Sequence, residues 1–283
     1  MAKPPEVSHN GGGMIARRDL AVRVGARSDL SPTCFRLTLA AQEPLEASPG
    51  QFGMLSCGEG FDPLLRRAFS LAGVSRQGDT TEVELLIKEV GKGTALLRHL
   101  GLGSNLRLLA PLGNGFSLDG GTHRLALVAG GIGLPPVLFA AEVLAARGTG
   151  FDLYLGATSA AELLELKRCG RAASRAGGEL VLTTDDGSRG EKGLVTAALG
   201  RRLSEGRVYS RVLACGPTPM LAALTLLARG QGLEAELSLE EPMACGVGVC
   251  LGCVVKLADG RYAPTCKDGP VFRTSDLAAG WWA

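Results

Sequence analysis

The chain has 283 residues, 46% hydrophobic and 20% charged, with 30 basic against 28 acidic side chains. That apolar share excludes a disordered polymer, and near-neutrality without a Lys/Arg-rich run argues against nucleic acid or an anionic membrane as the main partner. Aromatics at 5% leave little on which to stack bases, while 41 glycines, about twice the usual ~7%, imply many tight turns and close backbone approaches.

At roughly 100–200 residues per domain, the length accommodates two or three compact domains. Residues 1–14, with Pro4, Pro5 and the glycines 11–13, lack an apolar signal region and read as a flexible leader, so a cytoplasmic location is expected. Residues 15–118 read mostly as strands, clearest at 36–39 and 82–88, with one short apolar helix at 95–100 opened by Gly91-Lys92-Gly93-Thr94. Several short strands and one helix predict a small antiparallel barrel. From 119 to 236 the pattern becomes strand, glycine turn, helix: strands at 125–128, 151–156, 180–183 and 211–214, with helices at 136–147, 160–169, 194–203 and 218–229. Such alternation predicts a doubly wound parallel sheet. The uncharged stretch 125–141 is interrupted by Gly130, Gly131, Gly133, Pro135 and Pro136, which suits strand, turn and helix better than a membrane span. Residues 237–283 form a third, cysteine-rich module.

Four of the eight cysteines, Cys34, Cys57, Cys169 and Cys215, are scattered and read as small buried hydrophobes. The other four follow the plant-type [2Fe-2S] spacing, Cys245-x4-Cys250-x2-Cys253 with Cys266 further on. Glycines between them let the backbone wrap a cluster and aim N–H groups at its sulfurs. The competing readings are a structural zinc site, for which paired short spacings are usual, and unligated thiols.

Three further motifs are anion-friendly. Arg67-Ala68-Phe69-Ser70 sets an arginine fork, suited to a pyrophosphate, on a short strand. Gly93 and Thr94 stand at a helix start, where free N–H groups and the helix dipole point outward. Gly130-Gly131-Ile132-Gly133 links a strand to a helix without completing G-x-G-x-x-G; it serves either a dinucleotide or the turn alone. Cys215-Gly216-Pro217 lies at the carboxyl end of a later strand, where open α/β sheets bind ligands. Asp185 and Asp186 end another strand, as ligand contacts or as a plain Asp-Gly turn. The three histidines are dispersed, and no nucleophile elbow, Walker A motif or acid–base pair is present.

In this order the motifs resemble the ferredoxin–NADP reductase superfamily. Glu241-Pro242-Met243-Ala244-Cys245-Gly246-Val247-Gly248-Val249-Cys250-Leu251-Gly252-Cys253, Cys266-Lys267-Asp268-Gly269-Pro270-Val271-Phe272 and Pro111-Leu112-Gly113-Asn114-Gly115-Phe116 resemble the electron-transfer subunits of dihydroorotate dehydrogenase B. The resemblance spans about 18–275. It implies an FAD-binding barrel, an NAD domain and a [2Fe-2S] module. By it, Arg67, Ala68, Phe69 and Ser70 hold the FAD pyrophosphate and flavin edge, Leu86, Ile87 and Lys88 line the flavin, and Gly93 and Thr94 bind phosphates. Gly130, Gly131, Gly133, Asp185, Asp186, Cys215, Gly216 and Pro217 face NAD, while Cys245, Cys250, Cys253 and Cys266 hold the cluster. It also implies a separate FMN-containing catalytic subunit that oxidises dihydroorotate in pyrimidine biosynthesis, within a heterotetramer. Ala68 departs from the family, which usually has proline there. Two rivals stand beside this reading. One is a ferredoxin–NAD(P) reductase subunit of a bifurcating or sulfide-oxidising complex, the other a zinc-stabilised binding or sensor protein.

Overall fold

The computed structural model describes residues 17–58, 60, 62–119 and 123–282, so the leader expected over 1–14 lies outside the described residues. The first sheet comprises β1 (Arg18–Asp29), β2 (Cys34–Ala41), β3 (Phe52–Leu55), β4 (Arg67–Ser70), β5 (Gly73–Gln77), β6 (Thr80–Lys88) and β7 (Asn105–Leu112), with helix α1 (Lys92–His99) between the last two. All its pairings are antiparallel, in the order β4-β3-β7-β1-β2-β6-β5. Alternation in β2 buries Phe35, Leu37 and Leu39 on one face, and the same period in β1 buries Leu20, Val22 and Val24. These side chains meet Leu55, Leu85, Ile87 and Leu108 in a core that Leu97 of α1 joins. The sheet is a half-barrel: it curls until the Ala72 N–H, just past β4, donates to Glu84 O of β6 at 2.8 Å.

The second sheet holds β8 (Arg124–Gly130), β9 (Phe151–Ala157), β10 (Leu180–Thr184), β11 (Glu191–Lys192), β12 (Tyr209–Cys215), β13 (Ala235–Ser238) and β16 (Val271–Arg273). Its order is β11-β10-β9-β8-β12-β13-β16, parallel throughout except for the antiparallel β13–β16 pair. Helices α2 (Leu134–Arg147) and α3 (Leu166–Arg175) pack on one face, α4 (Val195–Ser204) and α5 (Thr218–Gln231) on the other. The remaining elements are the hairpin β14 (Val254–Lys256) and β15 (Tyr262–Pro264) with the short helix α6 (Thr265–Asp268). No helix among the described residues is long and apolar enough to cross a membrane.

The segment expected to be helical over 160–169 differs. It makes a 3-10 turn at Ala160–Glu162, buries Leu163 and Leu164, and starts α3 only after Glu165. Glu165 adopts φ 52°, and its carboxylate pairs with Arg36 of β2. Tertiary contact with the barrel thus interrupts a helix that apolar spacing alone would continue. Leu86, Cys34, Ala72 and Phe116 of the first half join Leu125, Leu138 and Leu153 of the second in one core.

At the amino ends of the parallel strands lies a buried polar knot. Asp152 accepts from Arg207 Nη2 at 2.6 Å, Tyr209 Oη at 2.8 Å and the Glu179 N–H at 3.0 Å. Burial pushes its carboxyl up, but the Glu179 N–H, Arg207 and Tyr209 outweigh it and hold the carboxyl below its ordinary value. Because the folded pKa is depressed, this carboxylate stabilises the fold above its unfolded pKa of about 3.9. That contribution disappears as pH falls through the folded value. Asp152→Ala is therefore expected to lower unfolding free energy by about 3–5 kcal/mol at pH 7, and Asp152→Asn to flatten the acid limb of stability below about pH 4. Urea titrations at several pH values measure both.

Candidate functional site

Arg67 lies on β4, in register with Leu55 of β3. Its side chain folds across the start of α1: a Cβ on Gly93 would stand 3.0 Å from Arg67 Nε and 3.0 Å from Cys57 Sγ, so the glycine gives the arginine room to lie there. Thr94 Oγ1 closes the turn, accepting from the Val90 N–H at 2.9 Å and the Gly91 N–H at 3.1 Å. A guanidinium beside the N–H groups of a first helical turn is an arrangement that holds phosphate. Burial raises the Cys57 thiol, and the Arg67 charge partly offsets it. Ala68 pairs with Met54 and packs against the apolar cluster that includes Cys253 and Cys266, whereas Phe69 turns into the barrel core. Alanine keeps the N–H that proline would remove from this strand.

Pairing of β5 with β6 stops at Glu84, so beyond it one edge of β6 has no strand partner among the described residues. Leu86 points into the core shared by both sheets and Ile87 into the barrel, which leaves their backbone for that open edge. Lys88 instead pairs with Glu162, Nζ to Oε1 at 3.4 Å.

The strand order reverses between β8 and β12, the switch point at which open α/β sheets bind ligands. Gly130-Gly131-Ile132-Gly133 and Cys215-Gly216-Pro217 meet there. A Cβ on Gly130 would stand 2.6 Å from Met220 Sδ, one on Gly133 would overlap Cys215 O, and one on Gly216 would reach Gly130 N at 3.1 Å. The backbone of the second loop leaves no room for a side chain at Gly133, whereas at Gly130 and Gly216 the Met220 thioether would have to move. Gly131, at φ 52°, has open space around it at the start of the 14-residue α2. Asp185 and Asp186 tie their loop to the end of β9 through N–H bonds to Ala157 O at 3.1 Å and Thr158 O at 3.2 Å. The Asp186 carboxylate is taken by Ser188, whose hydroxyl and N–H hold it below its ordinary pKa. Sequence reading missed Glu240, just beyond β13, whose charge raises the Cys215 thiol after burial has done most of that work. Its only signal was position at a strand's carboxyl end.

Cys245, Cys250 and Cys253 lie between β13 and β14, and Cys266 in α6. Cys250 is exposed, Cys253 and Cys266 buried. The loop presses against the barrel because Gly246, at φ 70°, has no side chain; its Cβ would stand 2.5 Å from Met54 Cγ. Phe52, Met54, Leu112, Cys253 and Cys266 form one apolar cluster, flanked by Ala68, Met243, Cys245 and Val247. Backbone N–H groups aim at the sulfurs: Gly248 at Cys266 Sγ (3.1 Å), Cys266 at Cys253 Sγ (3.4 Å) and Val247 at Cys245 Sγ (3.5 Å). Donation from Cys250 and Val247 lowers the Cys245 thiol to about 6, while burial and the neighbouring Cys253 push Cys266 up to about 12.

The four thiols influence one another: Cys250 acts on Cys245, and both Cys253 and Cys245 act on Cys266. Among the described residues no three His, Cys, Asp or Glu side chains converge as ligands of one ion. Four thiols on one loop and the short helix beside it, three of them facing backbone N–H donors, suit the [2Fe-2S] cluster that their spacing implies.

Residues 240–278 match the family model described as the iron-sulfur cluster binding domain of dihydroorotate dehydrogenase B, and 127–225 that of the oxidoreductase NAD-binding domain. The dihydroorotate dehydrogenase B (NAD(+)) electron transfer subunit of Geobacillus thermodenitrificans is 40% identical over 271 residues, covering 93% of this chain and 99% of its own. Its counterpart from Clostridium acetobutylicum is 33% identical over 239 residues, covering 84% and 89%. Among solved structures, an NADH-dependent reduced ferredoxin-NADP oxidoreductase, described in work on flavin-based electron bifurcation, superposes with a TM-score of 0.79 at 27% identity, covering 95% of this chain and 91% of that one. Identity of this size over nearly whole chains leaves one conclusion: this chain belongs to the family of dihydroorotate dehydrogenase B (NAD(+)) electron transfer subunits.

Proposed function

We propose that the chain is an NAD-linked flavin and iron–sulfur oxidoreductase subunit. It carries electrons from dihydroorotate oxidation, on a separate FMN-containing subunit, to NAD in pyrimidine biosynthesis. The observation that carries this is the apolar cluster joining Cys245, Cys253 and Cys266 to Ala68 on β4, which sets the cysteine loop against the arginine strand. When bound, a [2Fe-2S] cluster would supply one-electron transfer and FAD the conversion between single electrons and the hydride that NAD carries.

The chain's own residues bind and position. Arg67 and the first turn of α1 neutralise the FAD pyrophosphate, and the open edge of β6 at Leu86, Ile87 and Lys88 offers backbone groups to the flavin. Cys245, Cys250, Cys253 and Cys266 would ligate the cluster. Gly131 and the start of α2 receive the NAD pyrophosphate, with Cys215-Gly216-Pro217 opposite. Proton abstraction from dihydroorotate falls to the partner, which the absence of an acid–base pair in this sequence supports. A ferredoxin–NAD(P) reductase role in a bifurcating complex is the second reading, favoured by the 0.79 TM-score.

Anaerobic NADH titration of the purified chain is expected to bleach a flavin band, with about two irons per chain. Cys250→Ser is expected to lose that iron while the protein stays yellow. A colourless wild type holding zinc and ignoring NADH would overturn the reading. Mixing with the FMN subunit separates the two redox roles: dihydroorotate-dependent NADH formation is expected, whereas NADH-linked ferredoxin turnover alone would favour the second.

Electrons must enter near the exposed Cys250, whose chain neighbours Val249 and Leu251 are 78% and 58% exposed. An apolar rim about an electron port suits a protein partner. Val249→Asp with Leu251→Asp is expected to weaken co-purification with the FMN subunit by roughly 10- to 100-fold, leaving iron content and NADH-driven flavin bleaching intact. Unchanged assembly would place the docking face elsewhere.

A further inference from the structure

The strand-end sequence Gly156-Ala157-Thr158-Ser159-Ala160 offers neither a cation for a 2′-phosphate nor an acid for a ribose. Folding supplies the acid. The 3-10 turn at Ala160–Glu162 doubles the chain back, so that Glu162 Oε2 accepts from Thr158 Oγ1 at 2.9 Å, beside the carboxyl end of β9. The turn is braced from the neighbouring loop, where Ser188 Oγ accepts the Ala160 N–H at 2.8 Å. β9 adjoins β8, whose glycine turn is the seat proposed above for the dinucleotide pyrophosphate. The adenosine half of a nucleotide seated there runs over the end of β9, where an acidic side chain reads the ribose hydroxyls in dinucleotide folds.

We infer that Glu162 is the residue that selects NAD(H) over NADP(H), its carboxylate accepting from the adenosine ribose and repelling a 2′-phosphate. The inference deepens the NAD-linked reading and rests on it. Two features suit the carboxylate to this task. Its side chain is 32% exposed, and the bonds to Thr158 and Lys88 leave lone pairs free for a hydroxyl. Thr158 and Lys88 also fix its direction, so the group meets the ribose already oriented. Lys88 belongs to β6, so the same carboxylate joins the nucleotide loop to the strand proposed to line the flavin.

Glu162→Gln keeps the shape and removes the charge. In the flavin-loaded chain, its ratio of NADH to NADPH reduction rates, as kcat/KM, is expected to fall roughly 10- to 100-fold, chiefly through better use of NADPH. Calorimetric binding of 2′,5′-ADP against 5′-ADP gives a readout that needs no turnover: 2′,5′-ADP is expected to gain and 5′-ADP to weaken. Thr158→Val, which frees the carboxylate from its tether, is expected to shift both measures the same way by less. An unchanged ratio, or equal weakening of both nucleotides, in folded Glu162→Gln overturns the role of Glu162. A wild type that binds neither adenine nucleotide and oxidises neither NADH nor NADPH overturns the NAD-linked reading, and this inference with it.

Discussion

The contact on which the rest of this molecule depends is the dry seat between the cysteine loop and the barrel. Met54 is 1% exposed and lies against the bare backbone of Gly246, with Phe52 and Leu112 beside it and Cys253 and Cys266 above. Close packing of this kind is rigid, since interiors have the density of organic crystals. Rigidity has a purpose here. The cysteines and the arginine strand have no covalent link nearer than the whole intervening chain, yet their separation must not drift. A side chain on Gly246 would drive the loop off Met54, and its φ of 70° already favours glycine.

Much of this was legible from the sequence because the relevant signals are local. The alternation in β2 and β6, the strand–turn–helix repeat after β8 and the cysteine spacing each reflect neighbours along the chain. What the sequence hid was long-range. Nothing in residues 160–169 shows that Glu165 meets Arg36 across the two halves, so the apolar spacing there reads as continuous helix. The same holds at the nucleotide loop. Glu162 stands beyond the strand end in sequence, and only the turn returns it to Thr158. The glycines of Gly130-Gly131-Ile132-Gly133 divide by a test that no pattern contains: Gly133 is demanded by the backbone of the neighbouring loop, Gly130 lies against the Met220 side chain, and Gly131 faces open space.

The two sheets are held together by a mixture of grease and charge. Leu86 and Phe116 cross into the second core, and around them Arg168 pairs with both Glu84 of the barrel and Glu142 of α2, while Arg36 reaches Glu165. Half-buried ion pairs contribute modestly to stability but penalise wrong alignments heavily, because a misplaced charge is left unpaired. The link between the halves is fastened likewise. The Ser117 N–H donates to the buried Glu236 at 2.7 Å, and Arg211 Nη1 donates to Ser117 O at 3.2 Å. These pairs act as an alignment key for the cleft between barrel and nucleotide sheet.

The last strand gives the cysteine segment an unusual status. After leaving the parallel sheet at β13, the chain makes its cysteine loop and hairpin, then returns as β16 to pair antiparallel with the strand it left, Leu237 opposite Phe272. The segment is therefore stitched to the nucleotide sheet at both ends and pressed to the barrel in between. It is not a portable ferredoxin. Cutting it away would strip the cover from β13, all four of whose residues are buried, and offer a bare apolar edge to any passing strand. The cysteine segment is thus also the hem of the nucleotide sheet, and losing it would cost that sheet its outermost strand as well as the four thiols.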